Sequence, residues 1–367
     1  MKKIALLLLV LLLASSFAFA GGSRQRDDTF RVDVFWYTFA DTFLASVRNS
    51  MLEQQAGMTN LRITHHDCAE NQALQLQMIQ TAITQGTNLL IVNIVTTGSE
   101  DTAMNIVNQA RNAGIPIIFF NREVSDAVIR SYANAAFVGT DADEAGVMQG
   151  EAIANFLLRP ANWTGTRSNL DLNGDGVIRY IMLRGEHGNA EAFGRTYYSV
   201  SEANRLLGGR LRLEPSPANE TSTQYANDGI SNFFLYANWS AAIASDLMRT
   251  ALTAHSLTSG AIELIIANND DAAIGAIEAM REQGFNTGTA GASNIPVFGV
   301  DATAVAVENI RAGRMTGTVL QDGVAMARVV LELAQNVANG RHVFDNTARY
   351  NIDPGVNKIR VPYAIVE

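Results

Sequence analysis

In the stretch DLNGDGV, Asp171, Asn173 and Asp175 place side-chain oxygens at alternate positions, and Gly176 and Val177 follow. This is the first half of an oxygen cage for calcium, because Gly176 permits a sharp turn and Val177 offers a backbone carbonyl. An EF-hand would need a bidentate Glu at the twelfth position and a helix on each side. Met182 stands there instead, inside the apolar run VIRYIML, so an EF-hand is excluded. Two readings stay open: a calcium loop completed from elsewhere in the chain, or a turn in which Asp and Asn bond their own backbone. Just downstream, RGEHGNAEAFGR gathers Glu186, His187, Asn189, Glu191 and Arg195. Such charged and amide groups can ring a polar ligand.

Catalytic motifs are absent. The sequence holds no G-x-S-x-G elbow, no H-E-x-x-H and no G-x-x-x-x-G-K, and Gly174-x-Gly176 lacks the third glycine of a dinucleotide loop. His65 and His66 are adjacent, without the His or Cys spacing of a zinc site. A glycosidase needs only two carboxylates across a sugar, which Asp41, Glu191 and Asp301 could supply. A net charge of −9 argues against nucleic acid and anionic lipid as partners. Cys68 is the only cysteine, so the chain forms no internal disulfide.

The elements that must carry these residues alternate along the chain. Short runs rich in Val, Ile and Phe (VDVFWY, LRITHH, LLIVNIV, IPIIFF, VIRYIML, IELIIA, IPVFGV, MTGTVL, IRVPY) are separated by amphipathic segments such as LASVRNSMLEQQA and DEAGVMQGEAIANFLL. That pattern predicts an α/β fold with doubly wound parallel sheets. The chain is too long for one ordinary domain, and LLIVNIV with IPIIFFNRE is echoed by LIIANND with IPVFGVDA. Two similar lobes are expected. Ligands of such sheets lie beyond the carboxyl ends of the strands, where Asn93, Asn121, Asn269 and Asp301 fall. Each could equally cap the helix that follows. Residues 1–20 join Lys2 and Lys3, an apolar run and Ala18-Phe19-Ala20, the form of a cleavable secretory signal. A monomeric periplasmic protein beginning at Gly21 is expected. The segment from Pro215 to Asn238 has no clear periodicity and reads as a surface loop near the cleft mouth.

DLNGDGVIRYIMLRGE, IFFNRE, FVGTDADEAGVMQG, LIIANNDDAAIGAIEA, IPVFGVDA and GTVLQD, in this order, resemble the periplasmic glucose/galactose-binding proteins of sugar ABC importers. The resemblance spans nearly the whole chain after the leader. It implies the type I periplasmic binding protein fold: an N-terminal lobe of residues 29–139 plus 322–360, a C-terminal lobe of 140–321 plus 361–367, and three hinge crossings. It further implies a monosaccharide held between the faces of Phe43 and Trp239. Asp41, Asn121, Arg195, Asn269 and Asp301 would then serve as hydrogen-bonding partners. A surface ion pair with Glu191 is the competing account of Arg195. Three positions depart from the family: Asn189 replaces His, Glu191 replaces Asp and Gln321 replaces Asn. These changes leave the sugar's identity open between glucose, galactose and another small sugar such as ribose. For calcium, the resemblance adds Glu263 to Asp171, Asn173, Asp175 and the Val177 carbonyl. It also puts Arg179, which cannot ligate a cation, where the family has Gln. The partners implied are an inner-membrane ABC permease and a chemoreceptor.

Overall fold

A computed structural model describes residues 29–214, 234–255, 257–258 and 261–366. The expected leader and most of the 215–238 loop lie outside the described residues. The first half runs β1 (Phe30–Trp36), α1 (Thr42–Gln55), β2 (Leu61–Asp67), α2 (Gln72–Thr84), β3 (Leu89–Val92), α3 (Glu100–Ala113), β4 (Ile117–Phe120), α4 (Asp126–Arg130) and β5 (Ala135–Gly139). It continues through α5 (Ala142–Leu157), the short strands β6 (Trp163–Thr164) and β7 (Arg167–Ser168), β8 (Val177–Arg184), α6 (Ala190–Leu207), β9 (Arg212–Glu214) and β10 (Phe234–Tyr236). Then come α7 (Ala241–Ala254), β11 (Leu264–Ala267), α8 (Asp270–Arg281), β12 (Val297–Asp301), α9 (Ala304–Arg311) and β13 (Gly317–Gln321). The chain closes with α10 (Gly323–Ala338), β14 (Asn351–Ile352), β15 (Lys358–Arg360) and β16 (Tyr363–Val366).

Two sheets organise the molecule. One has the order β14-β15-β5-β4-β3-β1-β2, the other β10-β8-β11-β12-β13-β16 with β9 pairing β8. Pairing is parallel except at β14–β15 and β13–β16. The central strands LLIV, IIFF and LIIA are buried at every position. Parallel strands covered by helices on both faces need such unbroken apolar runs. The echo between the halves has a structural counterpart: β2-β1-β3-β4-β5 and β10-β8-β11-β12-β13 have the same connectivity. In each, the order reverses beside the first strand, and a crevice opens there.

The chain passes between the sheets at three places: from β5 into α5, from β13 into α10, and from β15 into β16. Helix α5 packs on α6, and α10 packs on α1. The α5–α6 contact is unusually close. A Cβ at Gly146 would lie 2.3 Å from the Gly194 carbonyl, and one at Gly150 would lie 2.6 Å from the Ser199 carbonyl. Small residues on α5 therefore let the start of α6 sit against the first crossing.

The structure differs from the sequence reading in two places. Phe234–Tyr236 is not loop but strand, paired in parallel with Met182–Arg184, because Phe234 is drawn into the core beside Tyr180. The run IRVPY is not one strand; it divides at Val361-Pro362 between the two sheets, since proline cannot donate to a ladder.

Candidate functional site

Most helices begin on a side chain that caps them, and three of these caps sit at carboxyl ends of strands facing the crevice. Asp41 Oδ1 accepts from Leu44 N at 2.8 Å, Asn189 Oδ1 from Ala192 N at 3.0 Å, and Asn269 Oδ1 from Ala272 N at 3.1 Å. Capping and facing the crevice are compatible roles, because a cap spends one oxygen: Asp41 keeps a second for a ligand, whereas Asn189 and Asn269 also spend Nδ2, on Thr97 and on the Trp239 carbonyl.

These residues line one cavity, together with Tyr37, Phe43, Asn121, Arg122, Glu191, Arg195, Trp239, Asp301 and Gln321. All ten residues named from the sequence as ligand-facing therefore come together. Tyr37 and Arg122 were missed. Tyr37 follows β1 and Arg122 follows Asn121, so both stand at the strand-end positions that drew attention to their neighbours. Asn93 is the converse. Its amide donates to the Phe120 carbonyl and to Asn121 Oδ1, both at 3.1 Å, and its Oδ1 accepts from Tyr37 N at 3.2 Å. Asn93 steadies two cavity residues from behind.

The two aromatic faces differ in support. Phe43 is buried in the first core as well as lining the cavity, so the core reading of Phe43 also holds. Trp239 rests on Gly185, where an added Cβ would lie 2.1 Å from Trp239 Cζ2. Its carbonyl accepts from Asn269 Nδ2 at 3.0 Å, and the Arg195 guanidinium carbon lies 5.7 Å from its ring centre. Asn121, Trp239 and Asp301 have φ of 59°, 66° and 120°. Conformations of this kind cost energy for non-glycine residues and cluster where function demands them.

Arg195 is held on several sides. Nη1 donates to the Asn268 carbonyl at 2.8 Å, Nη2 donates to Gln321 Oε1 at 3.0 Å and to Tyr363 Oη at 3.1 Å, and Asp301 Oδ1 lies 3.5 Å from Nη1. Burial alone would favour its neutral form, but Tyr363 and Asp301 more than offset this and keep it protonated. The competing surface pair of Arg195 with Glu191 is not formed. Glu191 is buried, and neither of its carboxylate oxygens has a hydrogen-bond partner. Burial, and then the charge of Glu123, raises its pKa. Burial likewise raises Asp301 well above the ordinary carboxylate range and pushes Asp41 up to about 6. Gln321 lines the cavity, yet both ends of its amide are committed, since Nε2 donates to Thr140 Oγ1 at 3.1 Å.

The lobes also meet directly around this cavity. Arg122 Nη2 pairs with Glu186 Oε2 at 2.5 Å, Thr42 Oγ1 donates to Asp271 Oδ1 at 2.8 Å, and Asn189 Nδ2 donates to Thr97 Oγ1 at 3.4 Å.

The DLNGDGV loop lies elsewhere, beside Glu263. Asp171 Oδ1 accepts from Gly174 N and Asp175 N, and its Oδ2 accepts from Gly176 N. Asn173 Oδ1 accepts from Asp175 N, and Asp175 Oδ1 accepts from Val177 N. Glu263 spends both oxygens on backbone, accepting from Leu172 N at 2.7 Å and Arg179 N at 3.0 Å. Arg179 Nη2 meets Asp175 Oδ2 at 2.8 Å. Among the described residues no group of three His, Cys, Asp or Glu side chains is placed to hold a metal ion. In this arrangement the loop oxygens accept backbone amide hydrogens, and the Arg179 guanidinium lies against Asp175.

A family model described as the periplasmic binding protein domain matches residues 32–342. The chain belongs to the periplasmic binding protein family. This places it among ligand-binding proteins rather than enzymes. This binding protein is 30% identical, over 100% of its length and 97% of the relative's, to the D-galactose/methyl-galactoside binding periplasmic protein MglB of Haemophilus influenzae. It is 23% identical to the ribose import binding protein RbsB of Escherichia coli, covering 96% of this chain and 97% of that one. Its fold matches an ABC transporter solute binding protein from Bacillus halodurans with bound myo-inositol. The TM-score is 0.67 at 23% identity, covering 93% of this chain and 96% of that one.

Proposed function

We propose that this chain is a periplasmic receptor that closes its lobes on a monosaccharide, an aldohexose of the glucose/galactose kind, and delivers it to an inner-membrane ABC permease. Relatives are named for binding D-galactose and ribose, others for xylitol and a rhizopine, and the leader would export the chain to the periplasm. The reading is carried by Glu191, whose two buried oxygens have no protein partner although they line a cavity walled by Phe43 and Trp239. A buried carboxylate without donors is costly, and ligand hydroxyls would supply them. Arg122 and Arg195 face the acids Asp41, Glu191 and Asp301, so the cavity offers donors and acceptors together. That suits the hydroxyls of a polyol, which both donate and accept.

A smaller sugar of the ribose kind is the second reading. It is favoured by the amides of Asn189 and Gln321, which are largely spent on protein partners and so leave fewer groups for a sixth carbon. On the first reading, the receptor would also meet a chemoreceptor as a monomer. Titration calorimetry with galactose, glucose, ribose, xylose and myo-inositol separates the readings. An aldohexose should bind most tightly, and absence of binding to every aldohexose would overturn the assignment.

In the DLNGDGV loop, the Arg179 guanidinium would take over the charge-balancing role of an ion, so the fold would not require calcium.

A further inference from the structure

Each of the three passages between the sheets ends on a buried polar side chain: Thr140, Gln321 and Tyr363. The three are joined to one another. Thr140 Oγ1 and Tyr363 Oη are 2.7 Å apart, and Gln321 Nε2 donates to Thr140 Oγ1 at 3.1 Å. Arg195 Nη2 closes the ring by donating to Gln321 Oε1 at 3.0 Å and to Tyr363 Oη at 3.1 Å. Gln321 and Tyr363 also face each other in the β13–β16 ladder.

A closed ring of this kind has a mechanical consequence. All four side chains are at most 5% exposed, so water cannot replace a missing bond, and losing one member strands its neighbours. We propose that Thr140, Gln321 and Tyr363 tie the three crossings into a single pivot and seat Arg195 on it. They act as positioning residues, so that the angle between the lobes and the grip on the ligand are set together. For its ligand arm, the proposal rests on the sugar-receptor reading above; for its hinge arm it does not.

Two measurements test it. Leu52 on α1 and Ile243 on α7 are exposed and lie in different lobes, whereas Cys68 is buried. Spin labels at Leu52→Cys and Ile243→Cys therefore report the interlobe distance by electron double resonance. Tyr363→Phe and Thr140→Val should each broaden that distribution, and the double variant should be no broader than either, because both cut the same ring. Thr140→Ser, which keeps the hydroxyl, should restore the original width. Unchanged widths in both single variants would overturn the pivot. In calorimetry, Tyr363→Phe should weaken sugar binding about tenfold through faster dissociation. Thr140→Val should do likewise, although Thr140 never touches Arg195. Loss in Tyr363→Phe with none in Thr140→Val would overturn the coupling. If the parent chain bound no sugar, the receptor reading would fail, and the spin-label widths would still decide the pivot.

Discussion

Asp41, Glu191 and Asp301 are raised by the same first cause, burial, but they face different neighbours. For Asp41 these are Asp271, which raises its pKa further, and Arg122, which lowers it. The unfolded chain releases this proton near 3.8, whereas the fold holds it to about 6. Between those values the folded state binds more protons, so unliganded stability falls as pH rises and levels off above the upper one. Ligand hydroxyls donate best to the ionised group, so affinity should rise across the same window. Melting temperature and calorimetry at pH 4.5 and pH 6.5 should therefore move in opposite directions, and Asp41→Asn should make both trends shallower without abolishing them, because Glu191, Asp301 and Asp270 are raised as well. Parallel movement would remove Asp41 from the ligand's partners.

At the scale of elements, the DLNGDGV loop carries its own prediction. With Asp171 and Glu263 bonded to backbone amides and Arg179 on Asp175, dialysis against a calcium chelator should leave the melting temperature unchanged. A loss of several degrees would restore the ion. The loop also shows what the sequence made legible. The oxygens at alternate positions are plain in the letters, but whether they face a cation or amide hydrogens depends on Arg179 and Glu263, which lie farther along the chain. The strands and helices were readable because buried parallel strands need unbroken apolar runs and helix starts need caps. Phe234–Tyr236 was not, because three residues carry no period. Within the site, resemblance pointed to Phe43, Trp239 and Arg195. The commitment of the Gln321 amide to the crossings was invisible, because it depends on Thr140 and Tyr363, distant in sequence and adjacent only once the sheets are assembled. Arg122 was no more legible, because only the assembled lobes bring it against the Tyr37 ring and Glu186.

The molecule as a whole is two similar sheets whose crevices face each other, joined at three crossings and bridged at the rim. Arg122 belongs to the first lobe and Glu186 to the second. Arg122 is buried with its guanidinium 4.2 Å from the Tyr37 ring centre, while Glu186 keeps 29% of its side chain exposed. A bridge with one exposed partner contributes about 1 kcal/mol, roughly a fivefold effect on the balance of closed and open forms. Glu186→Gln should thus weaken ligand binding a few-fold and enlarge the unliganded protein in small-angle scattering, with the melting temperature little changed. Identical scattering and affinity would show that the bridge does not bias closure. The central claim, that the two lobes enclose a single neutral sugar, is tested most directly by native mass spectrometry of the protein purified from its native cells without added ligand. The account predicts a bound species with the mass of one hexose, lost on gentle activation. A charged small molecule, or a peptide, in its place would contradict it.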